Sequence, residues 1–512
     1  MSKVRWSHAG ALHLAGWPRN LQRPAGLVGC TLVVAAAGWL INGGSWAVPL
    51  GLGVTLLYLN IVVRDVWRGL LVFLFLMPIL PDAWGARLTG FPILLTLQRA
   101  LIVPLFAVWL LRAFQIGSWR RPPRWLLTLV VVNFALRFVS GLWAPNPTAA
   151  LNRVIADSVE FVGLFFVIVD LVDERRIWSV LRVWVAGSAI GFLVGVHEFV
   201  SGWNLVERFA LNRENINWHP EYLDYGYRRA SSLFQHPISY AWVSSIAVLA
   251  AFALLGAEKR EQSRRLWWVA VFLNMGSLML SFSRGPILAL TLALLTLMLL
   301  SSGRQRIRLG GLAGAAVVMV AVLALARPAL TRAWAAGTVG LFKPEATGSA
   351  PARFQPAVSL EARRLVLENG LRLVAARPFG YGYTATTRDR LTDYYDRTFQ
   401  GMAGFENAYI HVTIEMGPLG LASLLSLFLW ILRAPRAAAP GCDRAFPDRS
   451  AIALFFSSVG VFYVVLFTTV GWLVNQEQIF WSILGMAGAV CARGKARSSR
   501  IGPQRAAILT PA

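Results

Sequence analysis

The residues of this sequence that are best suited to chemistry are a few arginines and one glutamate. Arg228 and Arg229 are adjacent, and Arg284 lies in the short segment Ser281–Pro286. A guanidinium group can bind two phosphate oxygens at once, so clustered arginines suit a phosphate or pyrophosphate group. Glu406 lies where a long polar segment returns to an apolar one. A partly desolvated carboxylate there can act as a general base towards a hydroxyl group.

The same residues also allow structural interpretations. An arginine near the end of a membrane span can anchor that end or pair with a carboxylate, because charged groups in or near spans are usually paired. A glutamate at a helix N-terminus can act as a cap, since the first turn favours negative charge. For Arg284 together with Arg228 or Arg229 we favour the functional interpretation over the structural one. For Glu406 we give the two interpretations equal weight.

Other charged residues within the apolar segments are expected to be structural. Three arginines should pair with carboxylates such as Asp157 or Glu160; they are Arg99, Arg137 and Arg153. His411 and Glu415 follow Glu406 and would lie deeper on the same helix, which rises about 1.5 Å per residue. A polar contact between helices is the favoured interpretation of both, and His411 is also kept as a candidate substrate contact.

These side chains must be positioned by membrane-spanning helices. Of the 512 residues, 56% are hydrophobic and 14% are charged, whereas a soluble globular domain has about 25% charged residues. The apolar residues collect in runs of about 17 to 25, the length with which an α-helix crosses the hydrocarbon core. We therefore predict an all-α, polytopic helical membrane protein with about 12 to 14 transmembrane helices. The candidate spans are 25–42, 47–63, 69–80, 92–111, 125–143, 152–171, 178–199, 237–256, 266–282, 286–301, 309–326, 407–432, 451–473 and 477–491.

Membrane topology explains the net charge of +24, so no nucleic-acid partner is expected. Alternate segments between the candidate spans hold 29 of the 49 Lys and Arg residues, as the positive-inside rule requires of cytoplasmic loops. This pattern places both termini in the cytoplasm. It also places Cys30, Cys442 and Cys491 at or near the inner face, where thiols stay reduced.

Two segments on the outer side, 201–236 and 328–405, are too long to be simple connections. The second contains a predicted amphipathic helix from Ser359, its N-cap, to Ala376. Its apolar face consists of Leu360, Leu367, Leu371 and Val374, and its arginines are Arg363, Arg364 and Arg372. The predicted regions are N-terminal helices 1–200, the loop 201–236, helices 237–327, the loop 328–405, C-terminal helices 406–492 and a basic tail 493–512.

Several common catalytic motifs are absent from the sequence. It has no Asp-x-Asp pair, no phosphate-binding loop of the Gly-rich type, no His-Glu-x-x-His and no Gly-x-Ser-x-Gly. Six scattered histidines and three cysteines make a zinc site improbable. We expect neither a metal site nor a cofactor.

Four short motifs, taken in order, resemble those of the O-antigen ligase and O-antigen polymerase family of polytopic glycosyltransferases. They are the run Arg228–Tyr240, the Ser-x-Ser-Arg-Gly turn Ser281–Gly285, the Arg-Pro-x-Gly-x-Gly segment Arg377–Gly382, and the stretch Glu406–Gly420. Each motif is short, and the specificity comes from their order and their placement around the long loop. The first seven candidate spans contribute little to the resemblance.

The resemblance implies that a glycan is transferred from a polyprenyl-pyrophosphate carrier on the periplasmic face of the inner membrane. Polysaccharide assembly proteins are further expected partners, besides membrane lipid. The catalytic candidates are Glu406 and Arg284. The candidate substrate contacts are Arg228, Arg229, Arg363, Arg364, Arg372, Asn407, Tyr409 and His411.

One departure from the family pattern bears on the acceptor. Ligases of the family, which transfer glycan to lipid A core, usually have His-Asn where this chain has Glu406-Asn407. We therefore favour a polymerase of surface polysaccharide or exopolysaccharide, acting without metal, with a ligase as the alternative. A transporter or flippase of lipid-linked glycans is a third hypothesis, which predicts internal repeats, broken helices and charges near the bilayer midplane.

Overall fold

The computed structural model confirms the predicted all-α fold. It describes residues 47–81, 85–86, 95–117, 119–208, 228–234, 236–301, 310–311, 356–385, 407–437, 447–468 and 477–492. Within these ranges the chain is helical apart from short connections and one pairing of two-residue strands, Gly85–Ala86 (β1) with Leu95–Thr96 (β2), which is antiparallel. Glu406 lies outside the described residues, as do the predicted span 25–42, nearly all of 309–326, and the basic tail.

The described helices follow one another through most of the chain. We number the α-helices in order: α1 Ala47–Arg64, α2 Val66–Leu76, α3 Leu97–Ile116, α4 Arg124–Gly141, α5 Pro147–Asp157, α6 Leu164–Leu171, α7 Arg176–Ser201, α8 Leu205–Arg208, α9 Pro237–Ala257, α10 Glu261–Ser281, α11 Arg284–Leu300, α12 Pro356–Ala376, α13 Ala408–Ala437, α14 Pro447–Leu466 and α15 Glu477–Ala492. A π-helix, Ser158–Gly163, joins α5 to α6.

Five of the described helices are long and apolar enough to cross a membrane. They are α3, α4, α7, α9 and the part of α13 that ends at Arg433. Shorter apolar helices occupy Gly53–Arg64, α2, α11, Ala451–Leu466 and α15. The chain is thus a multi-pass membrane protein, and the count of 12 to 14 spans stays a prediction.

The chain divides into two compact units, Met1–Gly69 and Leu70–Ala512. In the first unit, the buried hydroxyl of Tyr58 donates a hydrogen bond to the carbonyl of Gly69 over 3.2 Å. Asp65 accepts from the backbone N–H of Trp67 at 2.9 Å, which starts a new helix after α1. Both contacts join α1 to the beginning of α2.

Helix α9 forms the centre of the second unit. Nearly every residue of α9 is buried, because Ala, Ser, Val and Leu follow one another all round the helix rather than on one face. It packs against α7, α10, α11 and α14. A helix that is apolar on all sides is stable only inside such a bundle.

Two predicted elements differ from the structure. The predicted span 152–171 is interrupted by the π-helix, which carries the buried Glu160. The predicted amphipathic helix begins at Pro356, so Ser359 is not its cap but lies inside it. Its packed side includes Leu373 and Val374, whereas Leu367 and Leu371 are 44% and 56% exposed. The 3.6-residue period located the helix, but its contacts depend on how it meets α13.

Candidate functional site

Arg229 binds the turn between α10 and α11, which also carries Arg284. Arg229 Nε donates to the carbonyl of Ser281 and Nη2 to Ser283 Oγ, both over 3.0 Å. The backbone N–H of Ala230 donates to Leu280 O at 3.0 Å, so the segment 228–234 lies along the end of α10. Arg284 is the exposed first residue of α11. We call Arg229, Ser281, Ser283 and Arg284 the arginine turn.

The N-terminus of α11 lies at the arginine turn and carries the positive end of the helix dipole. Ser283 is the N-cap residue, and in the described structure its side chain makes no hydrogen bond to the first turn of α11. The first N–H groups of a helix attract anions. Phe282, with φ of 50°, reverses the chain before Ser283 and stacks on Phe199 with ring centroids 6.3 Å apart.

Arg228 is adjacent to Arg229 in the chain but has a different environment. It is buried, and its Nε lies 3.1 Å from Glu198 Oε1 while Nη2 lies 3.0 Å from Glu207 Oε2. Glu198, fully buried on α7, also accepts from the backbone N–H groups of Ser231 and Ser232 at 2.9 and 2.6 Å. Arg228 therefore ties its loop to α7.

The Arg-Pro-x-Gly-x-Gly segment docks on a break in α13. Pro418 has no N–H to offer Ile414, the carbonyl four residues earlier, and Gly417 has φ of 69°. The N–H of Tyr381 donates to Ile414 O over 2.7 Å. A Cβ on Gly380 would lie 2.6 Å from Glu415 O, so the fit requires glycine.

The start of α13 holds three predicted substrate contacts. Asn407 Oδ1 accepts from the N–H groups of Tyr409 and Ile410 at 3.0 and 3.1 Å, which makes Asn407 the cap of this helix. The hydroxyl of Tyr409 donates to Val464 O over 2.6 Å. His411 Nε2 lies 3.4 Å from Glu415 Oε1, one turn further along α13. The predicted base, Glu406, precedes this cap but lies outside the described residues.

Two of the three predicted arginines of α12, Arg364 and Arg372, are exposed. Arg364 Nε lies 2.7 Å from Glu368 Oε1, and the side chains are 77% and 43% exposed. The side chain of Arg363 lies outside the described part of the structure. At the end of the helix, Arg377 stacks on the ring of Tyr381, with 4.9 Å from Cζ to the ring centroid.

A second, largely buried group of charges surrounds Arg137 on α4. Its Nη2 lies 2.7 Å from Glu477 Oε1, and its Nη1 lies 3.3 Å from Asp157 Oδ2 and 3.0 Å from the hydroxyl of Tyr383. Arg153 Nε lies 2.8 Å from Asp157 Oδ1. We call these five residues the Arg137 network.

Three arginine pairings expected from the sequence are thereby confirmed. Arg137 and Arg153 both pair with Asp157, and Arg99 pairs with Glu160. The sequence reasoning missed the further partners Glu477 and Tyr383, and it missed Glu198. A carboxylate inside a predicted span is the signal that could have identified Glu198.

The described residues contain no group of three or more His, Cys, Asp or Glu side chains placed to hold a metal ion. Cys491 is a buried thiol near the end of α15, whereas Cys30 and Cys442 lie outside the described residues.

Comparison with known proteins identifies one segment of the chain. A comparison with curated proteins gives no match. Residues 269–425 match the model of the family described as O-Antigen ligase. This segment includes Arg284, α12, the docked segment at Gly380 and the start of α13, whereas Arg228 and Arg229 precede it. The resemblance drawn from the motifs is confirmed over this segment: residues 269–425 of this multi-pass membrane protein are similar to the O-antigen ligase family.

Proposed function

We propose that this chain is an inverting, metal-independent glycosyltransferase that polymerises polyprenyl-pyrophosphate-linked glycans on the periplasmic face of the cytoplasmic membrane. The observation that carries the proposal is that Arg229 binds Ser283, the residue directly before the exposed Arg284, at the arginine turn. Two guanidinium groups beside an uncapped helix N-terminus form a surface suited to a pyrophosphate. The family match over residues 269–425 supports glycan transfer as the reaction class.

The reaction exchanges one bond at the anomeric carbon of the donor glycan. The acceptor hydroxyl oxygen bonds to this carbon while the bond from the carbon to the pyrophosphate oxygen breaks. Glu406 takes the hydroxyl proton, and Arg229 and Arg284 stabilise the negative charge that develops on the leaving polyprenyl pyrophosphate. Asn407, Tyr409 and His411 place the acceptor near the start of α13, and the α12 arginines give the carrier further contacts.

Of the two adjacent arginines, we assign the substrate contact to Arg229. Arg228 is bound by Glu198 and Glu207, and an arginine held by two carboxylates has little charge left for a ligand. Arg229 is half-buried and donates to Ser281 O and Ser283 Oγ, in the turn that also carries Arg284. Its position beside Arg284 suits a shared contact of the two guanidinium groups with one anion.

The acceptor and the orientation are part of the proposal. Glu406 in place of the histidine usual in ligases favours another lipid-linked repeat unit as acceptor, over lipid A core. Both termini lie in the cytoplasm, because the basic segments alternate along the chain.

Transfer by purified protein in lipid vesicles tests the proposal directly. Vesicles are supplied with a polyprenyl-pyrophosphate-linked oligosaccharide, and products are resolved by length. Arg284→Gln and Arg229→Gln should each lower the transfer rate about 100-fold, as the loss of one charge-stabilising donor does in other enzymes. Arg121→Gln, which changes an exposed arginine between α3 and α4, is the matched control and should transfer normally.

Glu406→Gln tests the base separately. The variant should form no long polymer while it remains in the membrane, because glutamine cannot accept the proton. Normal polymer length in this variant contradicts the role of Glu406. Movement of the lipid-linked glycan between leaflets without new glycosidic bonds would favour a transporter instead.

A further inference from the structure

The Arg137 network shares no residue with the arginine turn, and its charges balance. With the neighbouring pair it contains three arginines, Arg99, Arg137 and Arg153, and three carboxylates, Asp157, Glu160 and Glu477. All three carboxylates are buried. Burial of a charge is costly unless the charge is paired, and these six pair with one another. The group is therefore stable in an apolar surrounding only when it is complete.

Tyr383 is the member of the network that comes from the long loop. Its hydroxyl accepts a hydrogen bond from Arg137 Nη1 at 3.0 Å and donates one to Asp157 Oδ2. The Arg137 guanidinium also lies 5.4 Å from the centroid of the Tyr383 ring. Burial raises the pKa of Tyr383, so the hydroxyl keeps the proton that it donates to Asp157.

Backbone contacts bring Tyr383 to this position. The N–H groups of Tyr381 and Gly382 donate to Ile414 O and Glu415 O at 2.7 and 3.0 Å, beside the break in α13. Gly382 also lies against the backbone of Ala144, in the turn between α4 and α5. The segment 377–385 thus touches α13 by its backbone and by the packed side chains of Tyr381 and Ala385, and it touches the Arg137 network by Tyr383.

Further contacts connect the network to α13. Asn133 accepts from Arg137 Nε at 3.2 Å and donates to Ser423 Oγ of α13 at 3.0 Å. Glu477 is the first residue of α15, and Asp157 ends α5. Helices α4, α5, α13 and α15 therefore meet around Arg137. Tyr383 joins the long loop to these helices.

We propose that Tyr383 is a positioning residue that anchors the long loop to the Arg137 network and so holds α12 against the start of α13. The role in catalysis rests on the proposed transferase function, since α12 carries candidate arginines and α13 begins directly after Glu406. The anchor itself does not rest on that function. Tyr383 touches no reacting atom; it acts through the segment that it holds.

Tyr383→Phe tests the anchor, because it removes one hydroxyl and leaves the ring. The full chain is purified in lipid nanodiscs, and hydrogen exchange is followed in peptides that cover 377–385. Exchange in this segment should become roughly tenfold faster or more, since the lost hydrogen bonds join charged partners. Exchange in α9 should stay as in the wild type. In the transfer assay, kcat should fall several-fold with little change in KM.

Tyr58→Phe is the matched control. Tyr58 is also a buried tyrosine with one hydrogen-bonded hydroxyl, but its partner is Gly69 O in the first unit. This variant should change neither the exchange of 377–385 nor kcat. An equal change in both variants would mean that any lost tyrosine hydroxyl loosens the protein, and it would overturn the proposal.

The two readouts separate the anchor from the proposed function. Unchanged exchange of 377–385 in Tyr383→Phe overturns the anchor, whatever the activity. Faster exchange with a wild-type kcat overturns the positioning role. A wild-type protein that transfers no glycan contradicts the proposed function, and the exchange measurement then still decides whether Tyr383 anchors the loop.

Discussion

The arginine turn and the Arg137 network both contain arginines, yet the environments of these arginines differ. In the network, Arg137 is buried and pairs with Asp157 and Glu477. At the turn, Arg284 is exposed and Arg229 donates to neutral oxygens of Ser281 and Ser283. Arg228 resembles the arginines of the network, because it too is buried and paired with two carboxylates.

This difference separates two uses of positive charge in a membrane protein. A buried arginine that is neutralised by carboxylates stabilises the packing of helices, and its removal leaves an uncompensated charge. An arginine at the surface can present its guanidinium group to an anionic ligand. Stability should therefore depend on the first kind, and transfer activity on the second. Four substitutions test this division, in order of their expected effect on stability.

Arg137→Gln should destabilise the protein most, by about 3–5 kcal/mol, because it leaves buried carboxylates uncompensated. Thermal unfolding in detergent, followed by tryptophan fluorescence, measures the loss. The double variant Arg137→Gln with Glu477→Gln restores the charge balance and should recover much of it. A single variant as stable as the wild type would show that the network does not hold the helices together.

Arg228→Gln should cost somewhat less, about 3 kcal/mol, since Glu198 loses its charged partner but keeps the N–H groups of Ser231 and Ser232. The same unfolding measurement applies. Transfer should fall only as far as the folded fraction falls. A stable Arg228→Gln protein with no transfer would instead place Arg228 in the substrate site.

Arg284→Gln should change stability by less than about 0.5 kcal/mol, because its side chain is exposed. Its transfer rate should nevertheless fall about 100-fold. Unfolding and transfer are measured on the same preparation, so that the two effects can be compared. Loss of stability in step with activity would remove the distinction between the turn and the network.

Arg364→Gln should likewise change stability by no more than about 0.5 kcal/mol, since exposed pairs such as Arg364 with Glu368 contribute little. Glu368→Gln breaks the same pair and is its control. If only Arg364→Gln slows transfer, Arg364 shares the function of the arginine turn. If neither does, its role is confined to α12.

Much of the architecture could be predicted from the sequence. The apolar runs predicted helices that the structure confirms, because a bilayer demands about 20 apolar residues in each spanning helix. Burial in an apolar medium also demands partners for Arg99, Arg137 and Arg153, and the carboxylates Asp157 and Glu160 were expected for that reason. Local sequence patterns thus predicted the helices and some of the ion pairs around Arg137.

Other contacts could not be predicted, because they join segments that lie far apart in the chain. Tyr383 and Glu477 meet Arg137 only after the bundle has formed. The exposed side of α12, with Leu367 and Leu371, likewise depends on which residues α13 covers. The Gly417-Pro418 pair marks the break in α13 in the sequence. The sequence does not show that the N–H of Tyr381 binds the carbonyl of Ile414 beside this break.

The sequence by itself determined the class of protein, the positions of most helices and the set of arginines that could bind a phosphate. Composition and spacing suffice for this, since they reflect the bilayer and the chemistry of single side chains. Only the tertiary structure divided the adjacent Arg228 and Arg229 between an anchor on Glu198 and the arginine turn. Neighbours in the chain share their composition, but burial and the reach of a partner carboxylate are properties of the folded bundle.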